Sequence, residues 1–172
     1  MYLSKLGSPY AASDYFSTNP EFGSLDDFKQ LVIQAHRLDI KVIIDWVANH
    51  TGWDHVWTES NPDFYKKDSE GNFVVASGMD DIIELNYSNP ETRKGMIEAM
   101  EFWVKKVDID GFRCDLASWV PLDFWKQARP EIEKLKPLFW LGEFDELEHS
   151  DYGDVFDASY AWRWMHKSES YY

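Results

Sequence analysis

Ile109-Asp110-Gly111-Phe112-Arg113-Cys114-Asp115-Leu116-Ala117 is the stretch on which the fold turns. Apolar residues flank a tight Asp-Gly start, and a helix-like run ends just before it, so it reads as a short buried strand. Side chains alternate along a strand, which puts Arg113 and Asp115 on one face and Cys114 on the other, toward a helix layer. Charges are seldom built into a buried strand unless they pair with each other or do chemistry. The stretch alone leaves both readings open: a structural ion pair, or the centre of a site.

Working outward, the neighbouring residues alternate between helix and strand. Upstream, Asn89-Pro90 opens a helix with proline at its first position, and Met96, Met100, Trp103, Val104 and Val107 form its buried stripe. Downstream, residues 121–135 are helical, with Phe124, Ala128, Ile132 and Leu135 inward and a kink expected at Pro130. Residues 138–144 form the next strand, and residues 154–160 are a candidate fourth. Nearer the start, Ser24 is a helix N-cap with Asp27 as its capping-box acid. Phe28, Leu31, Val32, Ala35 and Leu38 follow at helical spacing. Residues 41–46 are a β-branched run and hence a buried strand, with Asp45 and then Asn49-His50 at or just past its end. Residues 1–23 show no sustained period and are expected to be loop. Residues 51–88 show none either. A connection of that length is usually functional or a small subdomain, so a loop-rich insert over one end of the fold is expected.

Composition narrows the function classes. The chain has 172 residues, a formal charge of −14, one cysteine and nine tryptophans. Such acidity argues against nucleic-acid and anionic-membrane partners, which need basic patches. No run approaches the roughly 18 apolar residues of a membrane span, and no signal peptide is visible at Met1. A single cysteine excludes an internal disulfide framework. The tryptophans suit a sugar-binding surface and an ordinary aromatic core equally.

Alternating helices and strands imply a parallel sheet with helices outside. No Gly-rich phosphate loop follows any strand, as a doubly wound nucleotide-binding sheet would show. Instead Asp45, Asp115 and Glu143 each stand near the C-terminal end of a strand, where barrel enzymes gather their chemistry. The expected fold is therefore α/β, a partial (β/α)8 TIM barrel. A complete one takes about 250 residues, and three or four strands are visible, so residues 1–172 are expected to be a segment of a larger domain. Its uncovered edges and apolar faces predict low stability or self-association.

Neighbouring strands lie about 4.8 Å apart, so Asp115 and Glu143, from consecutive strands, are expected at roughly that separation. A retaining glycosidase needs about 5 Å between an attacking carboxylate and an acid that later serves as base; an inverting one needs a wider gap to admit water. Arg113 beside Asp115 is expected to hold it ionised. Aromatic shielding of Glu143 would raise its pKa toward that of a proton donor.

Asp45-Trp46-Val47-Ala48-Asn49-His50, Gly111-Phe112-Arg113-Cys114-Asp115 and Gly142-Glu143 resemble three ordered signature segments of the α-amylase family of glycoside hydrolases. Tyr10-Ala11-Ala12-Ser13-Asp14-Tyr15 is similar to that family's stretch after the second barrel strand, and the likeness runs over nearly the whole chain. The resemblance implies a segment from the end of strand two through strand six. Asp115 would be the nucleophile, Glu143 the acid and then base, and Arg113 the residue that positions Asp115. His50 would bind sugar hydroxyls, Asp45 would support the site, and Tyr10 would stack on the sugar ring. Asn49 matches a position that gives an oxygen to a structural calcium ion, which suits oxygen ligands. No organic cofactor is implied. The substrates implied are starch-like α-glucans or maltooligosaccharides, cut mainly at α-1,4 links. Family members are often exported, which points the parent protein toward secretion or the periplasm.

Ordinary structural roles stand beside these. His50 would cap the strand end, Tyr10 would pack, Cys114 would be a buried structural thiol, and Trp53 and Trp57 would be core of the insert rather than sugar subsites. One departure matters. The family's third carboxylate, the Asp of a later Asn-His-Asp segment, has no counterpart, since His166 is followed by Lys167. Two alternatives follow: a non-catalytic remnant that binds carbohydrate or a protein, and a metal-dependent hydrolase with Asp45, His50, Asp115 and Glu143 as ligands.

Overall fold

The computed structural model describes Tyr2–Leu3 and residues 10–76, 78–145 and 148–169. Its first half holds β1 (Tyr2–Leu3), β2 (Ala12–Asp14), α1 (Leu25–Arg37), β3 (Ile43–Val47), β4 (His50–Gly52), α2 (Trp57–Ser60), β5 (Val75–Ala76) and β6 (Met79–Glu84). Then come α3 (Pro90–Val107), β7 (Gly111–Asp115), α4 (Leu122–Ile132), β8 (Phe139–Asp145), β9 (Ala158–Tyr160) and α5 (Trp162–Glu169). A parallel sheet in the order β3-β7-β8-β9 organises them. It is an open arc of a barrel, as expected, with no closure.

Local signals set the helices. Ser24 Oγ accepts the Asp27 N–H, and the Asp27 carboxylate accepts the Ser24 N–H at 2.8 Å, so the capping box forms as read. Within α1 only Val32 is fully buried, while Leu31 and Leu38 lie exposed. All five stripe residues of α3 are buried, each contributing about 1.5–3 kcal/mol of apolar burial. In α4, Phe124, Ala128 and Ile132 face inward, but Leu135 does not. The helix ends at Ile132, so Leu135 falls off its inner face. Pro130 stands in the last turn, and the helix runs on past it. Trp46, Trp103, Trp125 and Trp140 are fully buried, so the tryptophans serve mainly as core.

Two segments differ from expectation. The stretch read as loop contains β1 and β2, which pair antiparallel. Strands this short show no period, and the fully buried Ala11 and Ala12 offer no polar alternation. Met1 and residues 4–9 of that stretch lie outside the described residues. The segment after β3 builds a three-stranded antiparallel sheet, β4-β6-β5, against buried Trp57, Phe64 and Tyr65. It is more regular than a loop-rich insert.

Strands β7 and β8 come very close at their start, because a Cβ on Gly111 would run into the Phe139 carbonyl oxygen. Just before β7, Asp110 fastens the base of the sheet. It accepts the Val42 N–H at 2.8 Å and meets His36 Nε2 at 2.7 Å, with Lys136 at 3.5 Å and Lys41 at 3.6 Å. Burial works against its charge. The Val42 N–H, His36 and Lys136 outweigh burial and hold the carboxyl below its ordinary range.

Candidate active site

The other end of β7 holds the predicted residues. Parallel register sets Asp45 beside Arg113 and Val47 beside Asp115. Cys114 pairs with Gly142, so Asp115 and Glu143 come one step later on adjoining strands. Alternation turns Asp45, Arg113, Asp115 and Glu143 to one face and buries Cys114 in the helix layer, as the sequence implied. Burial raises that thiol well above its usual range, so it is inert.

Arg113 sits between three carboxylates. Its Nη1 donates to Asp115 Oδ1 at 2.7 Å and Asp45 Oδ1 at 2.9 Å, and its Nη2 pairs with Glu143 Oε1 at 2.9 Å. Contacts through one guanidinium bound the nearest Asp115–Glu143 oxygen separation at roughly 8 Å. The retaining spacing of about 5 Å falls inside that bound. The second Glu143 oxygen accepts the Leu116 N–H at 2.9 Å. Leu116 reaches it from left-handed backbone, φ 42°, a conformation that strains a leucine by about 1–2 kcal/mol.

Arg113 favours the charged form of Asp115, as expected, but it does not decide that group's pKa. Asp115 is only 6% exposed, and desolvation raises its pKa to about 6; Glu143 and Asp45 add to the rise, and the hydrogen bond from Arg113 opposes it. One guanidinium cannot offset burial and two further carboxylates together. Glu143 meets Arg113 on one oxygen and a backbone N–H on the other. Arg113 stays charged: burial disfavours the cation, but bonds to Tyr160, Asp45 and Asp115 prevail and lift its pKa above the usual value.

A pocket of about 260 Å³ opens over these groups, lined by Tyr10, His50, Arg113, Asp115, Leu116 and Glu143, with Met79, Asp81 and Ile82 from the insert. His50 is 2% exposed. Asn49 Nδ2 donates to its Nδ1 at 3.2 Å, which leaves the ring proton on Nε2. That Nε2 is buried with no partner among the described residues. Burial lowers the His50 pKa to about 4, so the ring is neutral. A buried orphan donor in a pocket wall is a place for a ligand oxygen.

The remaining candidates divide. Tyr10 borders the pocket and is 43% exposed. Trp57 packs against Tyr15, His55 and Phe64 and is core. Trp53 is half-exposed and donates to the Asp80 carbonyl. Asn49 is buried, with its amide nitrogen committed to His50, and among the described residues no group of three or more His, Cys, Asp or Glu gathers to hold a metal ion. Arg113 fills the space a metal shared by Asp45, Asp115 and Glu143 would need. Sequence reasoning missed Tyr160, whose hydroxyl accepts from Arg113 Nε at 3.3 Å, and the three insert residues. Only the insert's length pointed to the latter.

Strand-end carboxylates joined by an arginine thus lie under one pocket. The sequence profile of the α-amylase catalytic domain matches residues 5–77 and 65–137. The chain belongs to the α-amylase family. It is 32% identical to the intracellular maltogenic amylase of Bacillus subtilis over 165 residues, 87% of this chain and 28% of that protein. To the trehalose-6-phosphate hydrolase of Bacillus subtilis (strain 168) it is 35% identical over 158 residues, 73% of this chain and 28% of that protein. The α-amylase structure from Lactobacillus plantarum superposes with a TM-score of 0.86 at 35% identity, covering 99% of this chain and 44% of that one. A maltogenic α-amylase structure from Thermotoga neapolitana gives 0.81 at 39% identity, covering 92% and 37%. The chain thus spans well under half the length of these relatives.

Proposed function

We propose that the protein serves a retaining glycoside hydrolase that cleaves α-glucosidic bonds, mainly α-1,4, in starch-like glucans or maltooligosaccharides. The observation that carries this is the joint hold of Arg113 on Asp115 and Glu143 at the ends of adjoining parallel strands. Relatives named maltogenic amylase and cyclomaltodextrinase support the substrate class, as does the structure of a Geobacillus thermoleovorans α-amylase complexed with acarbose.

In this reading Asp115 attacks the anomeric carbon while Glu143 protonates the departing oxygen, and the glycosidic bond breaks. Water then attacks the resulting ester, Glu143 takes its proton, and Asp115 is released. Three carboxylates around one cation favour retention of a proton in the site, and the first step consumes one. His50 Nε2 and the Tyr10 ring would hold the sugar over the carboxylates, with Met79, Asp81 and Ile82 forming the far wall.

A fluoro-substituted α-glucosyl fluoride tests the reading by trapping the ester. Mass spectrometry should place the adduct on the peptide containing Asp115, and Asp115→Asn should abolish it. Turnover of an aryl α-maltoside should fall at least about 100-fold in Glu143→Gln, with the α-anomer as first product. Labelling elsewhere, or a β-anomer, would overturn the proposal. Folded protein that binds maltooligosaccharide without labelling or turnover would favour the carbohydrate-binding alternative.

A further inference from the structure

The geometry points to Tyr160 as the positioning residue for Arg113, holding the guanidinium where it meets Asp45, Asp115 and Glu143 together. This deepens the glycosidase reading, because the carboxylate most affected is that reading's attacking group. The test below reads titration rather than turnover, so either proposal can fail alone.

The guanidinium's donors are spread over several partners. Nη1 is divided between Asp45 and Asp115, and Nη2 serves Glu143. Carboxylates on three strands pull the head in different directions, so those contacts alone do not fix its rotation. The remaining Nε–H donates to Tyr160 Oη at 3.3 Å, from the side opposite β3 in the strand order. The guanidinium carbon also lies 5.8 Å from the Tyr160 ring centroid, within range of a cation–π contact. Tyr160 thus supplies an acceptor and an aromatic surface, and it brings no second negative charge.

Tyr160 is itself braced. Its ring stacks on Trp162 with centroids 4.6 Å apart and planes 16° apart. The β8–β9 pairing slips just here: Leu141 pairs with Ala158, but Asp145 pairs with Tyr160. Irregular pairing of this kind commonly re-aims a side chain beside an active site. Facing the Asp115–Arg113 pair are Asp45 from β3, Glu143 from β8, Tyr160 from β9, His50 from β4, Asp81 from β6 and Tyr10 ahead of β2. Of these, Tyr160 is bonded to Arg113 without being a carboxylate.

The experiment follows the Asp115 carboxyl by carbon-13 NMR in the wild type, Tyr160→Phe and Tyr160→Leu, together with hydrogen exchange at Arg113 Nε. Losing the hydroxyl should loosen Arg113, raise the Asp115 midpoint by roughly half a pH unit in the Phe variant and further in the Leu variant, and speed Nε–H exchange roughly tenfold. A merely structural tyrosine would lower thermal stability and leave the midpoint in place. Identical titration and exchange in wild type and Tyr160→Phe would overturn the assignment. If either variant fails to fold, the wild type decides: magnetisation transfer between Arg113 Nε–H and the Tyr160 ring protons supports it, and the absence of transfer overturns it.

Discussion

The two ends of β7 carry ionic clusters of opposite construction. At the base, one carboxylate, Asp110, is surrounded by an N–H, a histidine and two lysines. At the mouth, one guanidinium, Arg113, is shared by three carboxylates. The base cluster satisfies its charge and lowers the Asp110 pKa; at the mouth, burial and then the excess negative charge raise that of Asp115. The first arrangement suits a joint, since every group gains by staying put. The second is of the kind found at functional sites, since its charges are held together against burial and mutual repulsion.

Removing the single cation should have the largest effect. Arg113→Met leaves buried carboxylates facing one another and should reduce stability to urea by about 3–5 kcal/mol at pH 7. Part of that loss should return near pH 4, where the carboxylates take up protons. Recovery absent at low pH would mean that packing, not charge, explains the loss.

Asp110→Asn should cost about 2 kcal/mol at pH 7. Its folded pKa is depressed, so the wild-type contribution is present above the unfolded value and lost as pH falls through the folded one. The two proteins should therefore converge in acid, as followed by thermal melts across pH.

Asp115→Asn should act in the opposite sense and more weakly. The wild-type carboxyl is raised to about 6, so its contribution is full below the unfolded value and lost as pH rises through about 6. The Asn variant escapes that loss and should be about 1–2 kcal/mol more stable than wild type at pH 7.5, with the gain gone below pH 4. Equal signs for the two Asn variants would break the contrast between the ends of the strand.

What the sequence revealed follows the range of the interactions concerned. The Ser24–Asp27 capping box, the α3 stripe and the outward turn of Cys114 depend on near neighbours, and all were legible. So was the convergence of Asp45, Arg113, Asp115 and Glu143, because strand alternation and parallel register carry them to one face. The rise in the Asp115 pKa was not legible, because only Arg113 is its neighbour in sequence. Glu143, Asp45 and the burial that decide its pKa arrive through tertiary packing. Tyr160 and the pocket wall from β6 were missed for the same reason. β2 escaped because three residues cannot show a period, and Leu135 was misplaced because its helix stops short of it.

The bare α-carbon of Gly111 acts as a gauge block for this site. By letting the Phe139 carbonyl nestle against it, it fixes how tightly the two strands are laced before they rise to their carboxylates. A methyl group there would run into that carbonyl and wedge the lacing open at its root, so the seating of the whole β7–β8 pair rests on a side chain that is not there.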